Sequence, residues 1–435
     1  MGDRVSPGSG SSGQANLIEM VVSKPESYFM ATARWVTIAL GIAIPLSTAL
    51  DNILLFILLA VLVGNCRAVW QELAQNSVAR ACMMLFAALL LGMAYGATPL
   101  REAASILGKY SDLAFVPLLM VAARDVETRR RAMLGFLAAM LLTAILSWLV
   151  GLRILPVAEW MWRGCLPENP AIFRSSITQN IMMVYAAFLL ALQARAATTP
   201  KIKWLASSLA ILTGSNVLFM VQGKTGYLIL LALLVYFVWQ IRAQHLPRGG
   251  RKSGWGKGLV MVLLVPILML SAYQISPRLQ GRINEMVAEF QAWQPNAGSK
   301  TSTGERLDFY YNTLVLVKQH PLLGLGTGGF AAAYAQQVQG KGVMLTRNPH
   351  NEYLMIMVQL GVAGLALLLY LFHTLWRCAA QLPSLFEQDA ARGLVLTIGI
   401  AALFNSPLLD HSEGLFFAFA SAMLFTNLGS RKQHA

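Results

Sequence analysis

Apolar runs long enough to cross a bilayer recur along almost the whole chain, and this repetition limits the fold more than any other feature. A membrane-crossing helix needs about 20 predominantly apolar residues. Windows of that kind lie near residues 30–49, 52–70, 80–98, 104–122, 132–152, 176–194, 204–222, 226–242, 258–275, 351–373, 391–408 and 413–429. In hydrocarbon, backbone N–H and C=O groups must find partners inside the protein, which favours helices. The sequence therefore predicts an all-α polytopic membrane protein with about twelve transmembrane helices. Composition agrees: 56% of the 435 residues are hydrophobic and 12% are charged, about half the charged share of an ordinary soluble domain. In the window 104–122, Lys109, Ser111 and Asp112 interrupt the run. That window reads as a helix packed inside the bundle or as a partly re-entrant segment.

The net charge is +14. In a membrane protein basic residues report topology first, so this charge does not imply a nucleic-acid partner. Lys and Arg concentrate in the two tails and in alternate short loops, led by Arg129-Arg130-Arg131 and by Arg248, Arg251, Lys252 and Lys257. An even number of spans then places both termini in the cytoplasm. The long loop 276–350 then faces outward, which is the periplasm if the cell is Gram-negative. Residues 1–14, MGDRVSPGSGSSGQ, read as an added tag or a disordered tail, and no cleavable signal sequence is expected. The expected division is 15–275 for transmembrane helices 1–9, 276–350 for the outer loop and 351–435 for helices 10–12.

The outer loop has helical periodicity. Ile283, Met286, Val287 and Phe290 share one face of a segment from Pro277 to Gln291. Leu307, Tyr310, Leu314 and Val317 share one face of a second, from Gly304 to His320. Between them Pro295 to Gly304 has hinge composition. A helical cap on the outer surface is expected. Cys66, Cys82, Cys165 and Cys378 fit neither a zinc site nor a disulfide framework and read as small core residues.

The stretch RNPHNEYLMIMVQLG, Arg347 to Gly361, puts a histidine at the doorway of an apolar span. Asn348 is a good N-cap and Pro349 suits the first helical position, which would place His350 in the first turn. At 3.6 residues per turn, His350, Leu354, Gly361 and Gly364 then share a stripe, and its glycines would let another helix pack closely. A helix N-terminus and Arg347 both disfavour an imidazolium. A neutral imidazole can serve as a general base. The plainer alternative is an interfacial histidine that caps a helix.

Cations gather at the same face. Lys224 lies in QGKTG between two apolar spans, Arg174 precedes the sixth span, Arg278 and Arg282 are one turn apart, and Arg306 begins the second cap segment. Each alone suits an interfacial anchor. Together they suit a diphosphate headgroup, since guanidinium forks bind phosphate oxygens two at a time. The run GLGTGGF, Gly324 to Phe330, fits neither a dinucleotide-binding nor a Walker pattern, so it reads as a tight turn closing the cap. Asp410, His411 and Glu413 form a polar knot between the last two spans. They could hold a metal, but pairing with arginines or orienting a substrate hydroxyl is the reading taken. No DxD pair occurs anywhere, so charge neutralisation would fall to the cations.

His350-Asn351-x-x-Leu354, followed by Gly361, resembles the signature of the O-antigen ligase and polymerase superfamily. The QGKTG turn, Arg306 in GERLDFYYNTL and the PLLGLGTGGF stretch fit the same pattern. The resemblance covers roughly residues 200 to 380. It implies a membrane glycosyltransferase of the C-type (GT-C) architecture with a periplasmic site and no cofactor or metal. The donor would be a glycan on undecaprenyl diphosphate, and for a ligase the acceptor is lipid A–core. The implied transfer is inverting, with His350 as base and Arg278, Arg306, Lys224 and Arg174 on the donor diphosphate. Glu413, Asn351 and Asp410 are then candidates for orienting the base or contacting the acceptor. Family members often carry an arginine where this chain has Lys224. Three rivals stay open: an O-antigen polymerase, a protein O-oligosaccharyltransferase, and a lipid-linked glycan flippase. A flippase would place its charges at mid-membrane.

Overall fold

A computed structural model describes residues 28–63, 65–245, 270–271, 273–274, 277–426 and 428. Among the described residues the chain is mostly helical, with no strand, and it is a polytopic all-α membrane protein. Among the described residues seven helices are long and apolar enough to cross a membrane, or up to nine if two bent pairs each count as one span. That is fewer than the dozen expected. A helix nonetheless occupies every expected window except 258–275, most of which lies outside the described residues. The shortfall has local causes. The window 104–122 is two helices, Leu100–Lys109 and Asp112–Ala122, bent by 41° at the polar break anticipated there. Leu385–Phe404 carries Glu387, Asp389 and Arg392 in its first half, and His411–Phe425 has only 15 residues.

Side-chain caps start several of the helices. Asn76 accepts from Val78 N, Asp125 from Thr128 N and Thr301 from Gly304 N. Ser384 and Glu387 form a reciprocal capping box. The helix Ser176–Ala196 is 83% buried across its apolar window and forms the centre of the bundle. Pro200–Ser215, Lys224–His245 and Leu385–Phe404 pack around it. His411–Phe425 is almost wholly buried, with Phe416 stacked on Phe136 at 5.4 Å and edge-on to Tyr185 at 5.5 Å.

Several interior charges are paired, while buried Glu352 and Glu413 are held by neutral donors: Tyr110 and Leu408 N for Glu352, Thr178 and Asn405 for Glu413. Arg195 bonds Asp389, which also accepts from Tyr236 Oη at 2.8 Å and Gln240 Nε2 at 2.7 Å. Arg174 bonds Asp51, and His411 Nδ1 lies 3.3 Å from Asp112 Oδ2. Three of the four cysteines are buried as expected. Cys66 departs from that reading: it is exposed, at the start of the helix Cys66–Gln75.

The segment ahead of His350 folds as helices Pro277–Ala292, Ser302–Gln319 and Phe330–Gln337. The first two match the periodicity; the third was not foreseen. The glycine run between the second and third does more than close a turn. It enters a break in the helix Glu352–Ala379. Gly361 has φ +64° and ψ −160°, which is non-helical. Val362 N therefore abandons Val358 and donates to Pro321 O at 2.8 Å. The carbonyls released are taken up by the loop: Leu325 N donates to Val358 O and Gly326 N to Gln359 O, both at 2.9 Å. Thr327 N donates to Gly92 O, Gly328 N to Gln359 Oε1 and Gly329 N to Gly326 O. Every N–H from Leu325 to Gly329 is thus committed inside the protein, which leaves none of them to cradle a phosphate.

Candidate active site

The structure revises how His350 is held. Asn351, not Asn348, caps the helix Glu352–Ala379, its Oδ1 accepting from Leu354 N at 3.0 Å. His350 stands just outside the helix with φ +55°, in the left-handed region. It is not on a stripe with Gly361, and the break at Gly361 interrupts that stripe in any case. Side chains fix this uncommon backbone. Asn348 Oδ1 accepts from His350 N at 2.8 Å and from Ser406 Oγ at 2.7 Å. Tyr310 Oη donates to His350 O at 3.1 Å, and Asn351 Nδ2 donates to Leu403 O at 3.0 Å. Left-handed backbone at a non-glycine residue costs about 1–3 kcal/mol and persists where its surroundings over-determine it.

The imidazole is half-buried. It stacks on Phe309 with ring centres 6.0 Å apart and planes 25° from parallel. Its Nδ1 lies 3.4 Å from Asn405 Oδ1. Burial, then the nearby Arg306 guanidinium, holds the ring below the ordinary histidine range, against an opposing contribution from Asn405. The direction is the one expected from sequence, but Arg306 rather than Arg347 supplies the charge. At neutral pH the ring is uncharged and can take a proton.

Arg306 also faces a cavity of about 500 Å³ between the start of the helix Lys224–His245 and the first two cap helices. Lys224 and Arg306 stand in a wall otherwise dominated by Leu228, Met286, Val287 and Phe290. Tyr310, which holds the His350 carbonyl, lines the same space. Lys224 Nζ reaches Thr303 Oγ1 at 2.8 Å and Glu289 Oε2 at 3.3 Å, which ties it to the cap. Burial raises the pKa of Glu289, but Thr303 and the Lys224 charge outweigh it and leave the carboxyl below its usual range. The QGKTG glycines let this turn approach the central helix. A Cβ on Gly223 would lie 2.4 Å from Asn180 Nδ2, and one on Gly226 would lie 2.9 Å from Asn180 Cβ.

The other expected residues divide. Glu413 is 1% exposed and accepts from Thr178 Oγ1 at 3.1 Å and from Asn405 Nδ2 at 2.8 Å, so it reaches His350 only through Asn405. Arg174 is not brought to the cavity. It is 4% exposed, and its N–H groups go to Asp51, Thr48, Ser412 and the Ile44 carbonyl. Asn351 and Asp410 serve as caps, Asp410 Oδ1 accepting from Ser412 N at 3.1 Å. Arg278 lies on the helix Pro277–Ala292, and its side chain falls outside the described residues, as does that of Arg282. Sequence reading missed Asn405 as a site residue. Its one signal was an amide between an apolar run and Pro407, which marks a helix end and not a site.

Residues 209–369 match the family model described as O-antigen ligase. A protein of Haemophilus influenzae described as uncharacterized is 25% identical over 181 residues, which is 39% of this chain and 45% of that protein. The chain thus spans less than half the length of that relative. The family match takes in Lys224, Arg306 and His350 and stops short of Asn405 and Glu413. That match, seated on the cap and the helices that carry these three residues, supports membership of the O-antigen ligase superfamily.

Proposed function

We propose that the protein is an O-antigen ligase that moves a polysaccharide from undecaprenyl diphosphate to a sugar hydroxyl of lipid A–core. The observation that carries this reading is the position of Arg306. Its charge acts on the imidazole of His350, and it lines an apolar cavity that also holds Lys224. An isoprenoid diphosphate pairs a greasy chain with a dense negative charge, and that cavity pairs apolar walls with two cations.

In this reaction His350 takes the proton of the acceptor hydroxyl as its oxygen attacks the anomeric carbon. The bond from that carbon to the diphosphate breaks with inversion, and undecaprenyl diphosphate leaves. Arg306, Lys224 and Arg278 neutralise the charge that gathers on the leaving group. Preorganised cations are the larger contribution, since they need no rearrangement as charge develops. General-base help adds about 10²–10⁴-fold. Transfer of this kind needs no metal. The basic tails and short loops support cytoplasmic termini, and hence a site at the periplasmic face of the inner membrane.

The test is His350→Ala in the native host, with the surface glycolipids separated by size. A ligase leaves lipid A–core without O-antigen while lipid-linked polymer persists. A polymerase instead leaves a single repeat unit on lipid A–core. Unchanged glycolipids would remove His350 from the reaction.

A further inference from the structure

We propose that Asn405 is a positioning residue for His350, holding the ring in the tautomer with a proton on Nδ1 and a bare Nε2. This rests on the reading of His350 as the base and adds what sets its reacting nitrogen.

The argument starts from Glu413. Its buried carboxylate accepts from Thr178 Oγ1 at 3.1 Å and from Asn405 Nδ2 at 2.8 Å. The second contact decides which way the Asn405 amide faces. With Glu413 ionised, or with its proton on the Oε1 that faces Thr178, a flipped amide would point its carbonyl oxygen at a bare carboxyl oxygen and lose that hydrogen bond. The main chain of Asn405 cannot drift to compensate. Its N donates to Ala401 O at 2.8 Å, and its O accepts from Glu352 N at 3.1 Å. The carbonyl oxygen of the Asn405 side chain is therefore the atom presented to His350, 3.4 Å from Nδ1.

A carbonyl oxygen accepts and cannot donate, so Nδ1 must carry the proton. A neutral imidazole has only one, which leaves the lone pair on Nε2. Among the described residues no group bonds Nε2. The stacked ring of Phe309 and the hydroxyl of Tyr310 on the His350 carbonyl fix the plane and the backbone from which the ring projects. Glu413 sets Asn405, and Asn405 sets His350.

The test uses the full chain in detergent micelles with all six histidines labelled with nitrogen-15. Two-bond proton–nitrogen spectra, taken where the ring is neutral, distinguish the tautomers, and loss of one signal set in His350→Gln assigns His350. The wild-type ring is expected with its proton on Nδ1. Asn405→Ala is expected to move the proton to Nε2 and to lower kcat by about 10- to 100-fold with little change in KM, part of what a general base supplies. The paired exchange Asn405→Asp with Glu413→Gln reverses the polarity of one hydrogen bond and keeps an acceptor facing Nδ1. It is expected to recover the Nδ1–H form, which a merely structural role for Asn405 would not require. A wild-type ring protonated on Nε2, or an Asn405→Ala ring still protonated on Nδ1, overturns the proposal. Turnover in the same preparations separates this from the role of the histidine. A tautomer that shifts while transfer is unchanged removes His350 as the base and leaves the positioning by Asn405 standing.

Discussion

A Cβ placed on Gly361 would lie 2.1 Å from the carbonyl oxygen of Leu322, so the helix after His350 breaks where the cap enters it. The break joins two parts of the site. The loop that fills it continues the cap helix that carries Arg306, and the helix it enters begins two residues after His350. A displacement of either is felt by the other, because the hydrogen bonds lost by one are made by the other.

Gly361→Ala tests that joint. Alanine at φ +64° and ψ −160° is strained by about 1–3 kcal/mol, and the contact with Leu322 adds an overpacking cost of about 1–3 kcal/mol. Thermal unfolding followed by tryptophan fluorescence in detergent should show a clearly lower midpoint. A wild-type midpoint would mean that the helix runs straight through residue 361.

If His350 is the base, the effect of losing it should be large and confined to chemistry. His350→Gln is expected to lower kcat for glycan transfer by about 10²–10⁴-fold while donor binding stays close to wild type. Single-turnover transfer and donor titration measure the two quantities separately. Equal losses in both would recast His350 as a binding residue.

The acid limb of the pH–rate profile should fall below the ordinary histidine value of about 6.5, because burial and Arg306 disfavour the imidazolium. Removing the charge with Arg306→Gln should move that limb to higher pH, on top of any loss of donor affinity. The same depression carries a stability sign. The unfolded chain takes up this proton before the folded one, so stability falls as pH drops from the unfolded value towards the folded one. A limb that stays in place in Arg306→Gln would show that burial alone sets it.

Lys224 bridges the cap to the helix it begins and faces the cavity. Lys224→Ala is expected to reduce kcat/KM for the lipid-linked donor by about 10-fold, in line with one charge-assisted hydrogen bond. Lys224→Arg should recover most of it, since a fork can serve the same oxygens. If Lys224→Ala instead lowered thermal stability and left the donor constants alone, the residue would be a strut for the cap.

Arg174 should behave in the opposite way. Removing one member of its buried pair with Asp51 leaves an uncompensated charge, at a cost of about 3–5 kcal/mol. Arg174→Ala is expected to unfold at lower temperature, while the protein that remains folded binds donor normally. Donor binding lost at unchanged stability would return Arg174 to the diphosphate.

Much of this was legible in the order of residues. Apolar runs placed the helices, the polar break at Lys109 to Asp112 marked a bend, and the period of Ile283 to Phe290 and of Leu307 to Val317 marked two cap helices. The position of His350 was less legible. Asn348 and Asn351 are both sound caps by residue type. Only the packing of Ser406 onto Asn348, and of Asn351 onto the Leu403 carbonyl, decides between them. Arg174 and Arg306 looked alike as cations at one membrane face. What separates them is that one finds a carboxylate within the bundle and the other finds a cavity.

Sequence alone determined that this chain is a helical membrane protein, because bilayer-length apolar runs leave the backbone few other ways to satisfy itself in lipid. It also determined which residue types were available for transfer chemistry. Tertiary structure alone decided which of them meet. Arg306, His350, Asn405 and Glu413 come from the cap, the end of the outer loop and the last two helices. Contacts between segments so far apart in the chain have no periodicity to betray them. They exist only once the helices pack.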